Sequence, residues 1–139
     1  MNIIIGNDHT GFDLKNQIIS TFQNANWINI GCEGEQIDYP DIAKELSNKI
    51  ISSHEIDFGI LICGTGIGMS IAANKIPGIR AAVCSEHFSA KYARLHNDAN
   101  VLCLGARVIG NGIATELVDV FINTQFEGGR HRIRIDKFS

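Results

Sequence analysis

The sequence predicts an α/β fold in which a five-stranded parallel sheet carries helices on both faces. Across the 139 residues, short apolar runs alternate with segments of helical periodicity, and this alternation is typical of a parallel sheet covered by helices. Some runs are apolar at every position, as residues 60–62 are, which suits a strand that is buried on both faces. The connections are short, so right-handed crossovers bring the carboxyl ends of all strands to one edge of the sheet.

The first two strand–helix units occupy the N-terminal part of the chain. Residues 3–5 are three consecutive isoleucines and predict the first strand. Apolar residues then recur at every fourth position over 14–22, which predicts an amphipathic helix. Residues 27–30 predict the second strand. A loop extends to Pro40, and apolar residues again recur at every fourth position over 42–50, which predicts the second helix.

The third and fourth units follow the same order. Residues 57–63 predict the third strand, which leads through a glycine-rich turn into a short helix over 69–75. A Pro-Gly pair ends this helix. Residues 80–84 predict the fourth strand, and residues 86–96 predict the helix after it. Three apolar residues of that helix share one face: Phe88, Tyr92 and Leu95.

The last unit consists of a strand at 101–104 and an amphipathic helix over 113–122. The basic segment from about residue 125 onward is too short for a domain, and we expect it to pack on another subunit. We therefore predict a single domain over residues 1–139, built as a Rossmann-like three-layer sandwich.

Composition and charge exclude several classes of protein. The net charge of −3 gives no general electrostatic basis for binding nucleic acid or an anionic membrane. No apolar run approaches the ~20 residues of a membrane helix, and the N-terminus lacks the basic region of a signal peptide, so a cytoplasmic location is expected. The cysteines form no C-x-x-C pair, which favours reduced thiols over disulfides or a zinc site. They are Cys32, Cys63, Cys84 and Cys103.

The segment after the third strand gives the strongest signal for a functional site. Gly64, Gly66 and Gly68 follow Cys63, and glycines let backbone amides approach a ligand closely. A glycine turn that leads into a helix presents unpaired N–H groups to an anion, and a cysteine there can act as a nucleophile or base. The alternative is a tight connection with a buried cysteine. The spacing fits neither a dinucleotide-binding fingerprint nor a Walker loop, and no nearby arginine supports a phosphatase loop.

Three polar residues follow the first and fifth strands at the same edge of the sheet. Asp8 and His9 come directly after the first strand, and Arg107 follows the fifth. Ligands of open α/β sheets bind at this edge, which favours a ligand-binding role for Arg107. The alternative for Asp8 is to cap the next helix.

Four further polar residues lie outside these strand ends. His96 and Asn97 end the fourth helix, where a histidine is often only a favourable C-terminal cation. Arg130 and Arg134 are four apart and would share one face of a helix, with a solvated basic tail as the alternative. Together with the thiol and the glycine turn, these groups suit a small phosphorylated substrate: arginine holds the phosphate, and cysteine or histidine moves a proton.

The ordered motifs of the whole chain resemble one known family. They are residues 7–11, 38–40, 62–68, 72–75, 84–86, 96–101, 105–107 and 127–131. The chain resembles the ribose-5-phosphate isomerase B family of sugar-phosphate isomerases, which also includes the two galactose-6-phosphate isomerase subunits. The resemblance implies interconversion of D-ribose 5-phosphate and D-ribulose 5-phosphate in the pentose phosphate pathway, without a metal or organic cofactor. It also implies a homodimer, or a dimer of dimers, whose active sites are shared between subunits.

The resemblance also implies roles for individual residues. Cys63 would be the base that moves a proton between C2 and C1 through a cis-enediolate, Thr65 would hydrogen-bond beside it, and His96 would open the furanose ring. One branch of the family uses a glutamate of the loop as the base, but no acidic residue occurs between Asp57 and Glu86. Backbone amides would hold the enediolate oxygens at Gly64, Gly66, Ile67 and Gly68. The sugar hydroxyls would lie near Asp8 and Asn97. The phosphate would lie among His9, Arg107, Arg130 and Arg134.

Two other functions fit the same residues. A hexose-6-phosphate isomerase, acting on galactose or allose 6-phosphate, would use the same residues with a deeper pocket. A non-catalytic module that binds a sugar phosphate or nucleotide would keep the cleft and show binding without turnover.

Overall fold

The computed structural model describes residues 1–138, and its centre is one sheet of five parallel strands. The strands are β1 (Asn2–Asn7), β2 (Asn26–Asn29), β3 (Phe58–Cys63), β4 (Ala81–Val83) and β5 (Val101–Gly105). Their order across the sheet is β2-β1-β3-β5-β4, and every pairing is parallel. The predicted parallel α/β fold is confirmed.

In the part of the chain that the structure describes, six α-helices connect or follow the strands. They are α1 (Phe12–Thr21), α2 (Tyr39–Ser52), α3 (Ile67–Ala73), α4 (His87–Asn97), α5 (Asn111–Asn123) and α6 (Arg130–Ile135). A short 3₁₀ turn, His9–Gly11, joins β1 to α1. Across residues 1–138, no helix combines the length and the apolar character needed to cross a bilayer.

The unbroken apolar runs of the strands are buried on both faces of the sheet. Ile3 and Ile5 pack with α1, α4 and α5, whereas Ile4 packs with α2 and α3 on the opposite face. Successive side chains of a strand point to opposite faces, so a strand covered on both sides has apolar residues at every position. The same alternation in β3 places the Cys63 side chain on the face that carries α2 and α3.

Two helices begin earlier than the sequence predicted. Helix α2 begins at Tyr39, so Pro40 lies in its first turn instead of in the loop before it. Proline is favoured there because the N–H it lacks would have no partner within the helix. Helix α3 begins at Ile67, two residues before the predicted start, because Gly66 takes a left-handed conformation that ends the turn.

The apolar face predicted for α4 does not face the core. Phe88 is 67% exposed, and the buried residues of the helix are Ala90, Ala93 and Arg94. Arg94 can lie inside because its guanidinium donates hydrogen bonds to the Ala99 and Thr124 carbonyls and pairs with Asp98 at 2.9 Å. A buried charge that is paired and hydrogen-bonded is tolerated, and hydrophobic periodicity does not reveal it.

The basic C-terminal segment contains α6, which packs against α4 of the same chain. The Glu127 N–H donates to the Leu95 carbonyl at 3.0 Å, and the His131 ring stacks on the His96 ring at 3.9 Å between centroids. The expected packing of this segment on another subunit stays a prediction.

Candidate active site

The Cys63 thiol lies at the topological switch point of the sheet. The connections that follow the adjacent strands β1 and β3 run to opposite sides of the sheet there. From the adjacent strands β1 and β3, the sheet extends to β2 on one side and to β5 on the other. The carboxyl end of β1 is fixed to that of β3 by the Asp8 N–H, which donates to the Ile62 carbonyl at 3.1 Å. Such a switch point leaves a crevice outside the strand ends, where ligands of open α/β sheets bind.

A cavity of about 290 Å³ occupies this crevice. Seven of the predicted site residues line it: Asp8, His9, Cys63, Gly64, Thr65, Gly68 and Arg107. Thr10 and Tyr39 line it as well and were not predicted. Tyr39 belongs to the Asp-Tyr-Pro segment before Pro40, but no local pattern indicates that its ring turns towards the glycine turn.

The sulfur of Cys63 contacts the backbone of the glycine turn. The residue is 5% exposed, and its Sγ accepts a hydrogen bond from the Gly66 N–H at 3.2 Å. An amide N–H forms a charge-assisted hydrogen bond when the sulfur carries a negative charge. The geometry therefore places a proton acceptor at the inner end of the cavity, with a fixed donor beside it.

Close packing fixes the path of the turn. Gly66 has φ +78°, and a Cβ atom there would lie 3.0 Å from the Leu104 carbonyl carbon. A Cβ atom on Gly68 would lie 2.5 Å from the Tyr39 ring. The backbone of the turn is thus held between β5 and α2, which explains why these positions are glycine.

Thr65 is exposed at the cavity, and its hydroxyl oxygen accepts a hydrogen bond from the Ile67 N–H at 3.2 Å. Two of the amides predicted to hold the enediolate oxygens, those of Gly66 and Ile67, therefore donate within the turn. For either N–H to serve a substrate oxygen, the substrate has to replace the side-chain acceptor.

Asp8 caps the 3₁₀ turn that follows β1, in agreement with the alternative role that the sequence indicates for it. Its carboxylate accepts hydrogen bonds from the backbone N–H of Thr10, at 2.9 Å, and from the Thr10 hydroxyl. His9 and Arg107 are exposed, and the Arg107 side chain extends beside Gly64. The cavity therefore has a buried carboxylate at one side and exposed cationic or basic groups at its mouth.

Four predicted site residues lie away from this cavity within one chain. Helix α4 ends at Asn97 and β5 begins at Val101, whereas Cys63 is paired with Gly105 at the other end of β5. The four steps from Val101 to Gly105 span roughly 13 Å, so His96 and Asn97 lie near the opposite edge of the sheet. Arg130 and Arg134 are on α6, which packs against α4.

His96, a predicted site residue, lies in a cluster with Glu127 and His131, and the sequence predicted neither of these two partners. Its Nε2 is 3.3 Å from Oε2 of Glu127, and Nε2 of His131 is also 3.3 Å from that oxygen. Burial, followed by the nearby His96 and Arg130, lowers the pKa of His131. The only sequence signal for the cluster is the four-residue spacing of Glu127 and His131, which is common in exposed helices.

Comparison with known proteins gives a consistent result along the whole chain. The sequence model of a family described as Ribose/Galactose Isomerase matches residues 3–138. Ribose-5-phosphate isomerase B of Escherichia coli is 47% identical over 137 residues, which cover 96% of this chain and 91% of that protein.

Two solved structures extend the comparison to three dimensions. Ribose-5-phosphate isomerase B of Clostridium thermocellum superposes with a TM-score of 0.95 at 46% identity, covering 99% of this chain and 94% of that one. The enzyme of the same name from Mycoplasma genitalium, solved with bound ribulose-5-phosphate, has a TM-score of 0.92 at 42% identity. That match covers 98% of this chain and 92% of the other.

Proposed function

The chain belongs to the Ribose/Galactose Isomerase family, and we propose that it interconverts D-ribose 5-phosphate and D-ribulose 5-phosphate with Cys63 as the base. It is an aldose–ketose isomerase, and ribose-5-phosphate isomerase activity is the function that the comparisons support. The observation that carries the assignment of the base is the Cys63 sulfur, which lines the switch-point cavity and contacts the Gly66 amide at 3.2 Å.

The reaction needs a base and an oxyanion-stabilising group at the same place. In the direction from aldose to ketose, the Cys63 thiolate takes the proton from C2, the C1–C2 double bond forms, and the C1 carbonyl oxygen becomes negatively charged. Thr65 and the amides of the turn stabilise this charge on the enediolate oxygens. The proton of the C2 hydroxyl then passes to the C1 oxygen, and the thiol returns its proton to C1, so that C2 becomes the carbonyl, C1 carries the hydroxyl and Cys63 is a thiolate again.

We place the phosphate of the substrate at the mouth of the cavity. His9 and Arg107 already line it, and guanidinium groups bind phosphate through paired hydrogen bonds. The Asp8 carboxylate lines the same cavity while it caps the 3₁₀ turn, and we place it against the sugar hydroxyls. These roles come from the resemblance and from the lining of the cavity.

A second copy of the chain completes the site in this proposal. His96, Asn97, Arg130 and Arg134 cannot reach Cys63 in their own chain, because they lie near the other edge of the sheet. The exposed large apolar side chains include Ile67, Ile71, Val83, Phe88 and Val108. Three of them, Ile67, Val83 and Val108, line one depression of about 280 Å³ beside Thr65. Exposed apolar patches mark interfaces, so this surface is where we place the second copy.

The reaction itself is tested with the purified chain and ribose 5-phosphate, in the presence of excess EDTA. We expect turnover that survives chelation, and a Cys63→Ala chain whose kcat is lower by about 10²–10⁴-fold, the contribution of a general base. Cys32→Ala is the matched control, because Cys32 is also a buried thiol but lines neither the cavity nor the depression beside Thr65. It should keep the wild-type rate.

Three results would contradict parts of the proposal. Activity retained in Cys63→Ala would mean that another group is the base. Faster turnover of galactose or allose 6-phosphate than of ribose 5-phosphate would make the chain a hexose-phosphate isomerase. Binding of ribose 5-phosphate without any turnover would leave the binding module as the remaining function. The pathway and the cytoplasmic location stay predictions.

A further inference from the structure

We propose that His96, Glu127 and His131 form a binding site for a divalent cation of the zinc class, and that an ion bound there prevents His96 from exchanging a proton with the substrate. One imidazole or carboxylate atom from each of the three residues lies within 4.8 Å of the other two. No other group of this kind is found among residues 1–138. The second half of the proposal rests on the proposed function, in which His96 opens the sugar ring.

The three side chains come from segments whose backbones are fixed to one another. His96 is in the last turn of α4, and the Glu127 N–H is bonded to the carbonyl of the adjacent Leu95 at 3.0 Å. The His131 N–H donates to the Gly128 carbonyl at 3.1 Å, which starts α6. The ligand atoms are thus held near one point by backbone contacts, without needing a metal to order them.

An unpartnered buried nitrogen gives independent support for a ligand at this point. His131 is 5% exposed, and its Nε2 has no hydrogen-bond partner among residues 1–138. The Glu127 Oε2 atom is 3.3 Å away, but this contact lacks hydrogen-bond geometry. Buried polar atoms in native proteins are nearly always satisfied, so the open position beside Nε2 requires a partner.

The donor set selects the kind of ion. Two imidazoles and one carboxylate are a known ligand set of zinc sites that have three protein ligands and a fourth position for water or substrate. Imidazole also suits copper and nickel. Calcium and magnesium prefer oxygen ligands and would gain only one here. Arg130 and Arg134 are close neighbours of His131 in α6, so their positive charge should keep the affinity modest.

A metal ion bound at this site would block the proposed role of His96 in opening the sugar ring. The His96 ring stacks on His131 with an interplanar angle of 13° and makes a T-shaped contact with Tyr92. The Nε2 atom that faces Glu127 would be the metal ligand. An imidazole bound to a cation through this atom cannot exchange a proton there with the sugar, so ring opening should slow.

Zinc binding is measured by calorimetry on the purified, metal-free chain, with Zn²⁺ as the probe. The titrations use both the wild-type and Cys63→Ala chains, since the Cys63 thiol is itself a zinc ligand. We expect one Zn²⁺ per chain at this site. Glu127→Gln and His131→Asn should each weaken it by more than the 10–100-fold that follows the loss of an outer-shell partner.

His87→Asn is the matched control, because His87 pairs with Glu116 at 3.1 Å in an exposed contact that has no third ligand within residues 1–138. It should leave zinc affinity unchanged. If His131→Asn unfolds α6, the Glu127→Gln chain tests the site instead. Glu127 is half exposed, and glutamine has nearly the same shape as glutamate, so this substitution should leave the fold intact. Equal zinc affinity in the wild-type and Glu127→Gln chains would overturn the site.

Rates of ribose 5-phosphate conversion test the second half of the proposal. Zinc should inhibit the wild-type chain reversibly, with activity restored by EDTA, and should inhibit Glu127→Gln only at concentrations at least about tenfold higher. Equal inhibition of both chains would show that zinc acts elsewhere and overturn this half. Zinc that binds at the site without slowing a working enzyme would refute the role of His96 in ring opening and leave the isomerase activity standing.

Discussion

The four cysteines of the chain are all buried and free, but their surroundings give them different chemistry. Burial raises the pKa of Cys84 to about 11, and burial also raises the pKa of Cys103 well above its ordinary value. Both therefore remain protonated thiols at neutral pH. Cys63 alone accepts the N–H of the glycine turn. The environment of each thiol thus decides which one can serve as a base.

The Cys84 thiol should make stability fall at alkaline pH. Its pKa in the folded chain is about 11, above the ordinary value of 9.0, so its contribution to stability is complete below pH 9 and is lost between about pH 9 and 11. Between pH 8 and 10.5 the free energy of unfolding should therefore fall by about 2 kcal/mol more in the wild type than in Cys84→Ala.

Urea denaturation of both chains at the two pH values measures this difference. Lys15 has a lowered pKa through burial and titrates in the opposite sense, but it is common to both chains and cancels in the comparison. Identical changes with pH in the two chains would show that Cys84 does not carry a raised pKa.

At the scale of elements, the turn between β3 and α3 depends on glycine for its backbone conformation and for the space around it. The left-handed conformation of Gly66 aims its N–H at Cys63 and allows α3 to begin at Ile67. Gly105 on the neighbouring strand has the same steric role, since a Cβ there would lie 2.7 Å from the Thr65 carbonyl oxygen. The geometry around the Cys63 sulfur is therefore built by backbone, with few side chains that could adjust.

Replacing Gly66 by alanine should reduce both stability and activity. A non-glycine residue in the left-handed region costs roughly 1–2 kcal/mol, and the added Cβ would press on the Leu104 carbonyl at 3.0 Å. Because the Gly66 N–H would turn away from Cys63, kcat should fall as well. Urea denaturation and the isomerase assay measure the two effects.

Gly112→Ala is the control for the glycine substitution itself. Gly112 lies in the first turn of α5, and a Cβ there would meet nothing within 4 Å. Alanine should stabilise this helix by about 0.5–1 kcal/mol and leave the rate unchanged. A Gly66→Ala chain that matches Gly112→Ala in stability and rate would refute the steric argument.

At the scale of the whole molecule, the predicted site residues divide into two groups at opposite edges of the sheet. One group surrounds Cys63 at the carboxyl ends of the strands, and the other surrounds His96 at the end of α4 and on α6. A single chain cannot bring them together without unfolding. A symmetric dimer would form two complete sites, each with one group from each copy.

Mixing two inactive variants tests this arrangement directly. Cys63→Ala and His96→Ala should each be nearly inactive alone, whereas chains mixed during refolding should recover about a quarter of the wild-type rate. Half of the randomly formed dimers combine both variants, and each of these has one intact site out of two. Mixtures that stay inactive, although the variants exchange subunits, would show that both residues act in the same chain.

The sequence determined the five strand–helix units of the fold and the turn at the centre of the candidate site, but not the last helix, α6. Continuous apolar runs indicated strands buried on both faces, as Ile3 to Ile5 are, and the glycines after Cys63 indicated the turn. These features depend on residues that are close together in the chain, because periodicity and turn conformation are local properties. For the same reason, seven of the residues that line the switch-point cavity could be named from the ends of the strands, whereas Tyr39, which comes from α2, could not.

Only the tertiary structure decided which groups meet. Strand β5 lies between β3 and β4, α4 buries Arg94 and exposes Phe88, and His96 stacks on His131. Each of these depends on contacts between segments distant in sequence: Arg94 is buried because the Ala99 and Thr124 carbonyls satisfy it. Local patterns carry no information about such partners, since the free energy that fixes them arises only when the chain is packed.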